Sequence, residues 1–447
     1  MYQRSVYPYT QNGGTGLLFA AGATGKNLTE SQYGIASVKF RWNLSGSFQQ
    51  CLPRYLSVDA DGGDEREFLL DVFSTPEQMI NAVFLKGYQW PFDPLKIAGE
   101  GSSLIDILIY QEEMLKNRHV YMDFIHNSKA LEPNGCVDFG GLSEEARQYL
   151  VNCNALQQTP YERLAKINPA AITVYRDHGI DLAQERLEIS VCAQHNNGGI
   201  AGNAWWESEI RHLFPVGEVN GSHGVYRPGG SALNAGQVGG LRAAQYITRH
   251  YREEARQKPE FLAEHASDIE QVIRFADEAV AAPGNAPIDV RQELELLRAR
   301  MSRYGSFIRT LEGVRTALQE NRDQRRFVLA NHALSDTKNL PDLFRLLELI
   351  TAQYVYLKAI EDYILQSGIS RNSYLVYNQF GKLAHDGTDE CFRNCTENPN
   401  TSQIQEIRYD AAQEACRVWW RPVRPMPEND QWFETVWQKY ADGNIFS

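Results

Sequence analysis

Apolar positions recur along this 447-residue chain with a period that changes from zone to zone. Residues 1–60 carry short apolar pieces, Leu17–Ala21 and Ile35–Phe40, set among Gly, Ser and Thr, a texture of strands and turns. From 61 to about 185 the pattern predicts helices over Thr75–Phe84, Leu104–Lys116 and Glu144–Val151, with a strand-like run at Val120–Ile125. An apolar strand over Ile189–Ala193 follows, then a Gly-rich turn, a second strand over Leu213–Val219, another Gly-rich turn and a helix of small residues. Beyond Arg252 the period is helical. Ile308, Leu311, Val314 and Leu318 share one face, and Leu343, Leu347, Ile350, Tyr354, Leu357 and Ile364 share another, as the seams of a helical bundle would. After Ser367 the chain turns polar, and Trp419, Trp420, Trp432 and Trp437 predict a tail that packs onto the body.

Composition narrows the class. With 43% hydrophobic and 22% charged residues the chain is globular rather than disordered. A formal net charge of −12 argues against a nucleic-acid partner or an anionic membrane surface. No apolar run is long enough for a transmembrane segment. The seven cysteines are odd in number and form no CxxC pair, which suits a reducing compartment. With no apolar run of the secretory kind near Met1, the expected location is cytoplasmic. Gly22–Asn27 fails as a phosphate loop, because Ala20 stands where the first Gly is needed and Asn27 where Ser or Thr would bind magnesium. Cys391 and Cys395 lack a second ligand pair at zinc spacing, so no metal site is read.

The chemistry-bearing residues concentrate between 195 and 240. His195 stands on the turn leaving an apolar strand, ahead of Asn196, Asn197, Gly198 and Gly199, and Glu218 follows Gly217 at the end of the second predicted strand. Each alone reads equally as an ordinary structural residue. Glycines at 221, 224, 229 and 230 would let the backbone approach a flat ligand. The helix starting near Ser231 or Asn234 would present free N–H groups and a positive dipole end to an anionic group. Strand, Gly-rich turn and helix come in the order used by dinucleotide-binding domains.

The run LFPVGEVNGSHGVYRPGGSALNAGQVGGLRAA resembles the flavin-binding segment of the succinate dehydrogenase and fumarate reductase flavoproteins, and HNNGGI upstream resembles their HYxMGGI. AAGATGKNLTESQYGIAS and SGISRNSYL are similar to further stretches of that family, the latter to its ESRGAH. The resemblance implies an α/β fold: a partial FAD-binding, Rossmann-like domain of the glutathione-reductase type, an inserted α+β capping domain and a helical C-terminal domain. The implied division is 1–60 and 186–252 for the FAD-binding parts, 61–185 for the capping domain, 253–379 for the helical domain and 380–447 for a C-terminal extension. It implies FAD as cofactor, lined by Gly217, Glu218, Gly229, Gly230, Ser231, Ala232, Leu233 and Asn234. His195 and Arg227 would be the catalytic residues, holding a small anionic substrate, since both donate charge-assisted bonds to an anion. An electron-carrier subunit would be a partner. The role of His223 stays open between structural and ligand-binding.

The family's opening GxGxxG fingerprint and its RGEGG segment have no counterpart here, so the N-terminal pyrophosphate-binding segment is expected to be absent. Two function classes therefore stand: an FAD-dependent oxidoreductase transferring a hydride between flavin and substrate, or a truncated or split-gene fragment without independent catalysis. A purely structural or interaction protein is a third.

Overall fold

Short strands and long helices alternate in the computed structural model, which describes residues 1–6, 13–281, 287–425, 428 and 431–444; the side chain of Trp432 lies outside that description. In chain order the strands are β1 (Thr24–Lys26), β2 (Ser31–Ser37), β3 (Arg54–Val58), β4 (His119–Asp123), β5 (Leu187–Asn196), β6 (Gly199–Ile200), β7 (Ile308–Arg309), β8 (Leu375–Lys382), β9 (Gln403–Asp410) and β10 (Ala415–Pro422). One sheet has the order β2-β5-β4-β3 and a second β10-β9-β1-β6, and every pairing within them is antiparallel. Among the described strands, only β7 and β8 pair in parallel, over two residues each.

The parallel sheet of a Rossmann-like arrangement is therefore not found among the described residues. The reason lies in the predicted strand Leu213–Val219, which does not form. Pro215 removes a ladder donor, Gly217 turns at φ +84°, and Gly217–Val219 closes as a single 3-10 turn. The first sheet also crosses the expected division near residue 60, since β3 pairs with β4 and β2 with β5.

The helices that matter for the site are α1 (Thr15–Ala20), α2 (Pro76–Lys86), α3 (Leu104–Tyr110), α4 (Glu144–Asn152), α5 (Ser231–His250), α6 (Val290–Tyr304), α7 (Leu311–Ala330) and α8 (Leu340–Gln366). Local chemistry sets their starts. Thr75 caps α2 by accepting from Gln78 N, with Pro76 at the first helical position; Thr310 caps α7 by accepting from Gly313 N. The apolar run read as strand-like at Leu17–Ala21 is instead α1, whose Phe19 is buried. Ile308, placed on the helical face with Leu311, belongs to β7, because Thr310 starts the helix after it.

α8 runs through the centre, and Leu346, Ile350, Val355, Leu357 and Ile360 are buried along it. The tail does pack onto the body. β9 lies against β1, and the Trp419 and Trp420 indole N–H groups donate to Glu406 and Asp362 at 2.9 Å each. Trp437 is exposed.

Candidate functional site

The turn from β5 into β6 is where the chain passes closest to itself. A Cβ on Gly198 would sit 1.8 Å from the Asn27 carbonyl oxygen, and one on Gly199 2.2 Å from that of Val219, so only glycine fits at either position. The Asn197 and Gly198 N–H groups donate to the Glu30 carbonyl at 3.0 and 3.1 Å. Glu30 is fully buried, and its carboxylate accepts from Arg371 Nη2 at 2.7 Å, Asn372 Nδ2 at 3.1 Å, Thr29 Oγ1 at 3.0 Å and the Tyr374 hydroxyl at 3.2 Å. A satisfied buried carboxylate thus underlies the turn.

Above that anchor, Asn197 fixes the state of His195. The Asn197 side-chain N–H donates to the Val225 carbonyl at 3.0 Å, which turns its Oδ1 toward His195 Nδ1 at 3.1 Å. An amide oxygen only accepts, so the proton of neutral His195 is assigned to Nδ1 and Nε2 carries the lone pair. His195 Nε2 is buried without a hydrogen-bond partner, 3.7 Å from Glu218 Oε2. The His223 ring meets His195 edge to face at 4.8 Å, and its Nε2 is likewise buried and unpartnered.

Burial, then the positive charge of Arg227, then His223, hold His195 down at about 4. Burial and Arg227 lower His223 as well. Burial raises Glu218, although its Oε1 accepts from Asn196 N at 2.8 Å. Near neutral pH both imidazoles are uncharged.

Arg227 is held from the first sheet. Its Nε and Nη2 donate to Gln32 Oε1 at 2.9 and 2.7 Å, and Gln32 is the cross-strand partner of His195. The structure therefore brings His195, His223, Glu218 and Arg227 into one cluster. Cavities flank Glu218, one of about 200 Å3 lined by Asn196, Gly198, Gly199 and Tyr356 and one of about 110 Å3 that includes His195 and Glu348.

The rest of the expected flavin set is arranged differently. Gly230 turns at φ +77° into α5, and Cβ atoms built on Gly229 and Gly230 would meet nothing within 4 Å. The elbow is open. Ser231 and Ala232 are half-buried, whereas Asn234 and Leu233 are exposed, Leu233 at 78%. These residues form an open helix entry rather than part of the lining beside Glu218. Sequence reasoning missed Glu30, Gln32, Asn197 and Tyr356. The signal available for Asn197 was its place between a strand-end histidine and two glycines.

No family model matches the chain. Over 121 residues it is 32% identical to the flavoprotein-like chain of the fumarate reductase (CoM/CoB) of Methanothermobacter marburgensis, a match covering 27% of this chain and 21% of that protein. It is 32% identical over 147 residues to an uncharacterised FAD-dependent oxidoreductase of Methanocaldococcus jannaschii, covering 32% and 25%. It is 29% identical over 140 residues to the L-aspartate oxidase of Mycobacterium leprae, covering 30% and 27%. The matches span about a quarter of those relatives' own lengths. Among solved structures, E. coli quinol fumarate reductase FrdA superposes with a TM-score of 0.56 at 16% identity, covering 96% of this chain and 66% of that one. In sequence and in fold the chain resembles the fumarate reductase flavoproteins. That likeness extends over nearly the whole chain in fold, and over a shorter stretch in sequence.

Proposed function

We propose that the chain carries the substrate-facing part of an FAD-dependent oxidoreductase of the succinate dehydrogenase and fumarate reductase type, passing a hydride between flavin and a small anionic substrate. One observation carries the reading: two neutral, buried histidines with unpartnered Nε2 atoms stand beside a fixed guanidinium. Buried polar atoms without partners are rare in native structures and mark places where a ligand completes the bonding.

The residues present suit a flavin. Gly229 and Gly230 leave the elbow clear, the N-terminus of α5 favours an electron-rich edge, and Gly217 with Glu218 borders the cavities. Gly217, Glu218, Gly229, Gly230, Ser231, Ala232, Leu233 and Asn234 would hold it. When bound, FAD supplies two-electron hydride chemistry that no side chain provides.

The chain's own residues do the rest. Arg227, oriented by Gln32, binds a substrate carboxylate in fork geometry. His195 offers a lone pair at Nε2, facing Glu218 across 3.7 Å. Two acceptors facing one another call for a donor between them: a proton on Glu218, whose raised pKa favours it, or a hydroxyl or amine of the substrate. Burial of His195 and His223 keeps bulk water from competing. The matched relatives are named as oxidoreductases, which does not favour the reading without catalysis. The proposal includes an electron-carrier partner and a cytoplasmic location; among the described residues, no helix is long and apolar enough to cross a membrane.

FAD uptake tests the proposal. The purified protein incubated with FAD should retain the visible flavin absorption bands after desalting, and Gly230→Val, which places a branched side chain at positive φ in the elbow, should abolish them. Wild-type protein that stays colourless overturns the reading.

A further inference from the structure

On the far side of α8 lies a separate cavity of about 260 Å3, walled by α7, α8 and the turn joining β9 to β10. The same helix divides it from the candidate site. Leu349, Ala352 and Tyr356 line the cavities beside Glu218, whereas Ile350, Thr351 and Tyr354 face the second one.

Three arginines of α7, Arg322, Arg325 and Arg326, border this cavity. Their i, i+3, i+4 spacing sets three like charges on one helix face, an arrangement that destabilises an isolated helix. Nearby acids answer it only in part. Arg325 pairs with Glu414 at 3.0 Å, and Arg326 pairs with Asp323, one turn back on its own helix, at 3.0 Å. Arg322 meets a neutral group, donating to the Tyr354 hydroxyl at 3.3 Å with its guanidinium 5.5 Å from the ring centre. The two carboxylates are more than half exposed, so these pairs hold weakly and exchange readily for a better anion.

The opposite wall is built from the helix core. Tyr354 is 8% exposed and Thr351 9%. Tyr354 is steadied by edge-to-face contact with Tyr409 at 6.0 Å. A flat, largely apolar wall under a rank of guanidiniums matches a multiply charged anion with a carbon skeleton, because guanidinium forks pair with carboxylate and phosphate oxygens alike. In a chain of net charge −12, which repels anions at long range, a locally positive cavity stands out.

We propose that this cavity is an anion-binding site for a small di- or trianion, a polycarboxylate or a phosphate compound. Arg322, Arg325 and Arg326 are the donors, and Tyr354 is the wall against which the ligand rests. The site is independent of the redox reading.

Calorimetric titration of the full chain with citrate and, separately, with pyrophosphate tests it. Saturable binding of at least one probe is expected, weakening as salt is added. Citrate alone indicates a polycarboxylate, and pyrophosphate alone a phosphate compound. Arg322→Gln should weaken binding about tenfold or more, by loss of a charge-assisted donor. Glu414→Gln, which removes the competing carboxylate, should strengthen it. The proposal is overturned if neither probe binds saturably, or if Arg322→Gln and Arg325→Gln both bind like the wild type.

Discussion

Glu30 and Arg371, 341 positions apart in the chain, meet in the interior at 2.7 Å, and both are at least 98% buried. The guanidinium also lies 4.8 Å from the Tyr363 ring centre. Because the Glu30 backbone carbonyl receives the Asn197 and Gly198 N–H groups, this pair sets the height of the turn that carries His195.

Arg371→Met strands the Glu30 carboxylate in the interior and should cost about 3–5 kcal/mol. Glu30→Gln combined with Arg371→Met should cost less than the sum of the single changes, since the two act on one interaction. Urea unfolding of the three variants measures both; strict additivity would show that the residues do not depend on each other.

Two glycines in neighbouring turns should respond in opposite ways. Gly198→Ala drives a methyl group into the Asn27 carbonyl and should destabilise by about 3 kcal/mol or more. Gly229→Ala adds a methyl to open space and should stay within about 1 kcal/mol of the wild type. Thermal melts decide between these, and equal losses would mean that the Gly198 approach is not tight in solution.

Acid should weaken the fold partly through His195. Its pKa lies at about 4 in the folded chain against an ordinary value of 6.5, so between those pH values the unfolded chain binds the extra proton. The contribution is unchanged above pH 6.5 and falls as pH drops, reaching about 3 kcal/mol of lost stability below pH 4. Glu218, raised by burial, takes up a proton in the folded state first and opposes part of the loss just above its ordinary range. His195→Gln should flatten the fall in stability from pH 6.5 to 4, as followed by chemical denaturation; a slope identical to that of the wild type would place the titration elsewhere.

Arg227→Ala removes the substrate clamp without opening a core. Folding stability should stay within about 1 kcal/mol of the wild type, while the perturbation of bound-flavin absorption by succinate or fumarate should require at least about tenfold more ligand. Gln32→Ala, which frees the guanidinium to wander, should fall between the two. Unchanged ligand response in Arg227→Ala would remove the arginine from the site.

Periodicity revealed the long elements. The stripe from Leu343 to Ile364 became α8, and the small-residue run after Gly230 became α5, because helical spacing over many turns is hard to mimic. Short apolar runs misled. Leu17–Ala21 folds as a helix and Leu213–Val219 as turns, since neighbours and backbone angles decide such pieces. His195, Glu218 and Arg227 were legible as a group from their spacing around glycines. Glu30 and Gln32 were not, because nothing local in TESQYG shows that one will meet Arg371 and the other Arg227.

The pairing of β9 with β1 constrains how the molecule is made. Thr24 and Arg408 hydrogen-bond across 384 positions, and β1 is sandwiched between β9 and β6, the strand that follows the His195 turn. A nascent polypeptide leaving the ribosome would expose one edge of β1 until residues 403–410 emerge, so this sheet closes after most of the chain has been translated. Contacts of such span form slowly. Chaperone dependence during synthesis, and protease sensitivity of chains stalled before β9, follow from that delay.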